Sequence, residues 1–145
     1  MSDHRLLGSD LAADPGFLLA RARAVTSGAA NARLAPLGLK VRQLSVLWLA
    51  CQDPGPSQRE LSEFLGLDPS QVVALVDELQ RRGLVERRAG ERDRRSRIIV
   101  ATADGVRLLD RGLAAVRAAG DASFANLTDR ERKTLTELLT KVAFG

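Results

Sequence analysis

Between Gln80 and Arg97 the chain sets eight arginines, Arg81, Arg82, Arg87, Arg88, Arg92, Arg94, Arg95 and Arg97, against three acids, Glu86, Glu91 and Asp93. Guanidinium groups are permanent cations with a planar fork of donors, a chemistry suited to phosphate oxygens and to the acceptor edge of guanine. The excess is local. The remainder of the chain carries fourteen basic and fifteen acidic residues, so the net charge of +4 originates in this one stretch. Such a patch in an otherwise neutral chain is the footprint of a polyanion-binding surface; a merely solvated basic hairpin is the plainer alternative.

Immediately upstream, Val72, Leu75, Val76 and Leu79 recur at i, i+3, i+4 and i+7 and predict an amphipathic helix. Its opposite face carries Ser70, Gln71, Val73, Ala74, Asp77, Glu78 and Arg81. The first turn of that face is small and polar and can approach base edges closely. Gln71 can pair with adenine, and Val73 or Ala74 can touch a thymine methyl. The helix opens at Asp68-Pro-Ser-Gln71, where free amides suit a phosphate.

Catalytic chemistry has few parts to work with. The single histidine, His4, lies in a stretch expected to be frayed; there is no tyrosine and one cysteine, and no metal-spaced cluster or Gly-rich phosphate loop follows a strand. Glu60 and Glu63 lie three apart, but Glu60 is explained by helix capping. No enzyme activity, metal or cofactor is expected.

The elements that must position the basic stretch can be read from breaks and caps. Residues up to about Ala13 are expected to form a flexible tail. Asp14-Pro15 starts a long helix to about Ala35, ended by Pro36-Leu-Gly38. A second helix covers about Lys40 to Cys51, with Leu44, Leu47 and Trp48 on one face, before the break Asp53-Pro-Gly-Pro56. Ser57-Gln-Arg-Glu60 is a capping box that opens a short helix burying Leu61, Phe64 and Leu65, stopped by Gly66. After the Asp68 helix, Gly83 gives way to a hairpin of Leu84–Arg88 and Arg97–Ala101 around the turn Ala89–Asp93. Thr102 or Asp104 caps a helix to about Asp121 with Val106, Leu109 and Leu113 inward. Thr128-Asp-Arg-Glu131 opens the last, with Leu135, Leu138, Leu139 and Val142 in register. The order of short helix, tight turn, second helix and basic hairpin predicts a mainly α winged helix-turn-helix, its second helix meant for a major groove. Residues 14–145 form one domain, with a DNA-binding core at about 40–102.

From Leu39 to Gly105 the sequence resembles the MarR family of bacterial regulators. The resemblance rests on Leu39, Gln43 and Leu47, on Arg59-Glu-Leu-Ser-Glu-Phe-Leu-Gly66, and on Leu67-Asp68 through Val76. It continues through Leu79-Gln-Arg-Arg-Gly-Leu-Val85, Asp93-Arg-Arg95 and Thr102-Ala-Asp-Gly105. Ala101 departs from the leucine many members carry, which is a packing change. The resemblance implies a sequence-specific regulator, a repressor relieved by a small ligand, that binds two-fold symmetric double-stranded DNA. It implies a homodimer built from the helices at about 14–35 and 104–145. It also implies that Arg95 enters a minor groove or contacts backbone, held by Asp93. Ser57, Gln58, Asp68, Arg88, Arg92 and Arg94 complete the expected DNA-binding set.

Phe17, Arg21 and Trp48 are candidates for a pocket that takes a small aromatic acid, with Arg21 pairing its carboxylate; core packing is the competing reading of Phe17 and Trp48. Cys51 could be a redox switch, but a free cysteine at the end of the second helix reads better as core. A protein-interaction winged helix without a regulatory role is the remaining alternative. The absence of a long apolar run and the lone cysteine lead to the expectation of a cytoplasmic protein with no membrane partner.

Overall fold

The computed structural model describes residues 4–145. Six α-helices and one hairpin follow in the order α1 (Pro15–Leu34), α2 (Val41–Ala50), α3 (Gln58–Leu65), α4 (Pro69–Arg81), β1 (Val85–Ala89), β2 (Arg97–Ala101), α5 (Ala103–Ser123) and α6 (Asp129–Phe144). The caps explain most of the boundaries. The Asp14 carboxylate accepts the Phe17 amide at 2.9 Å, and Pro15 occupies the first helical position of α1. Ser57 Oγ accepts the Glu60 amide at 3.1 Å while the Glu60 carboxylate takes the Ser57 amide at 2.7 Å. Between the two α5 caps the sequence allowed, Thr102 holds the position: its Oγ accepts from Gly105 N and donates to the Gly83 carbonyl.

The core lies where α2, α3, α4 and the hairpin meet. Leu44, Val46 and Leu47 of α2 pack with Leu61 of α3, with Val72, Val76 and Leu79 of α4, and with Leu84, Val85 and Ile99. Burying these side chains stabilises the unit by roughly 1.5–3 kcal/mol each. The strands pair antiparallel with Val85 opposite Ala101 and Arg87 opposite Ile99. The Pro-rich break is docked: Ile99 N donates to the Pro56 carbonyl at 2.8 Å. A Cβ on Gly55 would fall 2.3 Å from the Ile99 carbonyl, so only glycine allows this approach. α5 lies along α1, whereas no residue of α6 is buried.

Several expectations need correction. The stretch expected to be a flexible tail lies in part outside the described residues, at 1–3; from His4 on it holds two 3-10 turns, His4–Gly8 and Asp10–Ala13. Ser9 closes the first by donating both its amide and its hydroxyl to the Leu6 carbonyl. Phe64 is 58% exposed and stacks on Phe144 with ring centroids 5.5 Å apart. In an eight-residue helix, the face that buries Leu61 does not extend to Phe64. Val106 is exposed as well. The first strand starts at Val85 rather than Leu84, because Leu84 N bonds the Leu79 carbonyl and still belongs to the helix end.

Candidate functional site

The outward face of α4 is open as the periodicity demands. Ser70, Gln71, Val73, Ala74, Asp77 and Arg81 are exposed, and Val72, Val76 and Leu79 are fully buried behind them. Two of these side chains already have local work. The Gln71 side-chain carbonyl accepts the Asp68 amide at 3.0 Å, which closes the start of α4 and leaves only the side-chain NH2 free. A bidentate pair with adenine needs both halves of the amide, so a capping Gln71 is left to donate through its NH2. Arg81 forks onto Glu78, with Nη2 to Oε1 at 2.6 Å. That bond holds the Glu78 carboxyl below its ordinary range and raises the Arg81 guanidinium.

Ser57, Gln58 and Asp77 also make bonds within the fold, although Asp77 stays exposed. Ser57 caps α3. Gln58 Oε1 accepts from Arg87 Nε at 3.0 Å, and Asp77 Oδ1 accepts from Arg87 Nη2 at 2.6 Å. Gln80 Oε1 accepts the remaining Arg87 contact at 3.0 Å. Arg87, with its side chain 22% exposed, therefore ties β1 to both helices of the helix-turn-helix. The sequence reading counted Arg87 as surface charge. The strand alternation was the available signal: with Val85 inward and Glu86 outward, Arg87 must point back toward the helices.

At the hairpin tip, Arg92, Arg94 and Arg95 are exposed, and their guanidinium groups have no hydrogen bond or ion pair among the described residues. Arg88 is different, since Glu86 takes its Nη2 at 2.8 Å. Asp93 does not hold the Arg95 guanidinium. Its carboxylate accepts the Arg95 backbone amide at 3.0 Å, and its carbonyl accepts both the amide and hydroxyl of Ser96. Asp93 thus shapes the turn that projects three arginines. Asp93→Ala is accordingly expected to weaken DNA binding about fivefold, the worth of one net hydrogen bond, without a shallower salt dependence. Fluorescence anisotropy at several salt concentrations measures both quantities. A shallower slope would mean that phosphate contacts are lost along with the turn, and unchanged affinity would mean that the turn does not set the arginine contacts.

A second feature is an open cavity of about 230 Å³ between α1, α2 and α5. Thr26, Ser27 and Ala30 form one wall, Val41, Leu44, Ser45 and Trp48 another, and Val116, Ala119, Gly120, Ser123 and Phe124 the third. No charged side chain lines it. Trp48 belongs to it, 49% exposed. Phe17 and Arg21 do not; they sit about two and a half and one and a half turns too early on α1, and Arg21 is exposed.

The MarR family model matches residues 37–96. An HTH-type transcriptional repressor of Mycobacterium tuberculosis is 33% identical over 127 residues, 88% of this chain and 91% of its own length. The chain belongs to the MarR family. CouR from Rhodococcus jostii RHA1, solved bound to p-coumaroyl-CoA, is 45% identical with a TM-score of 0.87, covering 94% of this chain and 96% of that one. The mycobacterial regulator solved in complex with DNA superimposes with a TM-score of 0.72 at 29% identity, covering 89% of this chain and 97% of its own. Solved with salicylic acid, it gives a TM-score of 0.73 at 32% identity, covering 89% and 96%. The protein is a DNA-binding transcriptional regulator with a winged helix-turn-helix fold.

As a MarR regulator the chain has one further reactive group, Cys51. Burial first, and the nearby Asp110 carboxylate second, push its thiol above the ordinary value. A raised thiol keeps the thiolate scarce near neutral pH, which disfavours oxidant sensing and fits a packing role. Among the described residues, no helix is long and apolar enough to cross a membrane, and no group of three potential ligands is placed to hold a metal ion.

Proposed function

We propose that the chain acts in the cytoplasm as a homodimeric repressor without catalytic activity, seated on a two-fold symmetric double-stranded DNA site and released by an aromatic effector. The observation that carries the DNA reading is the unpaired state of Arg92, Arg94 and Arg95 beside the open face of α4. Cations that satisfy no internal acid are available to phosphates, and a narrow minor groove attracts them further. Ser70, Gln71, Val73 and Ala74 supply the close approach to base edges, with Arg81 and Arg88 as further charges and Asp68 marking the helix start. Residues at about 40–102 form the DNA-binding core in this reading.

Dimerisation is supported by apolar side chains with no cover in one chain. Leu18, Leu19 and Val25 on α1, and Leu138, Leu139 and Val142 on α6, are exposed. A second copy would bury them and set two α4 helices about one DNA turn apart. The effector reading rests on the cavity and on the ligands of the two relatives. Its uncharged lining suits an aromatic acyl thioester, neutral at its carbonyl, better than a free carboxylate, which would be desolvated there without a partner.

Sedimentation velocity is expected to give about twice the 15.6 kDa chain mass. A labelled fragment from upstream of the gene should bind with log K falling against log salt by about 0.9 per phosphate neutralised. A monomer would remove the two-fold site, and no binding at low salt would leave a protein-interaction role. p-Coumaroyl-CoA should quench Trp48 and release DNA; equal or stronger action by free p-coumarate would reverse the thioester preference.

A further inference from the structure

Arg82 stands at the C-terminal end of α4, half-buried, and is tied to none of the acids around it. Its Nη1 donates to the Gly38 carbonyl at 2.7 Å and its Nη2 to the Leu37 carbonyl at 3.2 Å. These carbonyls lie 44 and 45 residues away in sequence, in the 3-10 turn Ala35–Leu37 and Gly38 that joins α1 to α2. Gly38 is left-handed at φ 66°, and a Cβ there would sit 3.2 Å from Arg82 Nη2. The turn therefore has both the backbone shape and the clearance that the guanidinium needs.

The same joint closes one end of the cavity. Its α1 wall ends at Ala30 and its α2 wall begins at Val41. The next α1 residue, Asn31, accepts the Val41 amide on its Oδ1 at 2.8 Å. An occupant that spreads α1 from α2 must shift the Leu37 and Gly38 carbonyls. A cation donating to two carbonyls is a strong, directional attachment, so that shift pulls on the end of α4. We infer that Arg82 is the positioning residue that transmits cavity occupancy to the DNA-reading helix. This rests on the reading of the cavity as an effector site, and it assigns the path by which that site acts.

The test compares full-length parent, Arg82→Met and Arg82→Lys, with p-coumaroyl-CoA as the probe. The only tryptophan, Trp48, lines the cavity and reports its occupancy by emission, while anisotropy of labelled upstream DNA reports the interface. In the parent, saturating probe should weaken DNA binding at least about tenfold, within the usual range of coupling between sites. In Arg82→Met the probe should quench Trp48 at the parent's concentrations, yet weaken DNA binding less than about twofold. Arg82→Lys, with one compact donor group for two carbonyls, should fall between, and it carries the comparison if Arg82→Met does not fold. Undiminished release in the folded variant overturns the link. A parent whose Trp48 ignores the probe sinks the effector reading for this ligand, and the link is then judged by reciprocity. DNA should change Trp48 emission in the parent and not in Arg82→Met; equal changes in both, or none in the parent, overturn it.

Discussion

Replacing Arg92, Arg94 and Arg95 together by alanine should lower DNA affinity at least about a hundredfold, since each groove or phosphate contact is worth roughly 1–3 kcal/mol. The three side chains are exposed and have no partner among the described residues, so their removal breaks nothing inside the protein. Melting temperature should consequently stay near the parent's, because surface changes away from structural contacts usually stay within about 0.5 kcal/mol. The salt dependence should become shallower by up to about 5.4 in log–log slope if all three neutralise phosphates in both protomers. Arg88→Ala should do much less, because Arg88 already satisfies Glu86 and its net field is weaker. A folded triple variant with parental affinity and slope would show that the hairpin tip is a solvated basic turn and that α4 binds alone.

What the sequence made legible was local. Capping boxes act over three residues, and the Ser57–Glu60 and Thr102 signals put the helix starts where they are. The α4 stripe was visible because buried and exposed positions alternate with the helical period. Most of the misplacements involve partners distant along the chain. The bonds of Gln58 and of the outward-facing Asp77 to Arg87 were missed, since nothing near them in sequence announces Arg87, 29 and 10 residues on. The cavity was sought at Phe17 and Arg21 because the apolar residues of α1 run all around its cylinder and mark no one face. Its true wall at Thr26, Ser27 and Ala30 is defined only by the residues of α2 and α5 that face it, 11 or more positions away in sequence. Asp93 was given the right location and the wrong bond: its spacing to Arg95 suits a turn that captures a backbone amide two residues on.

Gly105→Ala should be the most damaging single methyl added near the hairpin base. A Cβ at this position would lie 2.1 Å from the Leu84 carbonyl oxygen, 3.1 Å from its carbon and 3.1 Å from Leu47 Cδ1. The carbonyl cannot simply swing away, because it accepts the Thr102 amide at 3.0 Å and fixes the entry to α5. Gly105 N is also held, by Thr102 Oγ1 at 3.0 Å. Relief therefore requires α5 to back off from the hairpin, opening the packing around Leu84 and Leu47, both core residues. Overpacking of this kind costs about 3 kcal/mol, even after the modest gain of alanine over glycine in a helix. The melting temperature should fall by roughly 10 °C, taking about 3–4 °C per kcal/mol for a chain of this size. Asp104→Ala, one residue earlier and exposed, loses only a surface pair with Arg107 and should change stability by less than about 0.5 kcal/mol. Differential scanning calorimetry of the two variants separates the cases. Should Gly105→Ala melt with Asp104→Ala, the close approach of α5 to Leu84 is not maintained in solution. DNA affinity should follow stability here, because Thr102 and Leu84 anchor the same hairpin that carries the three unpaired arginines.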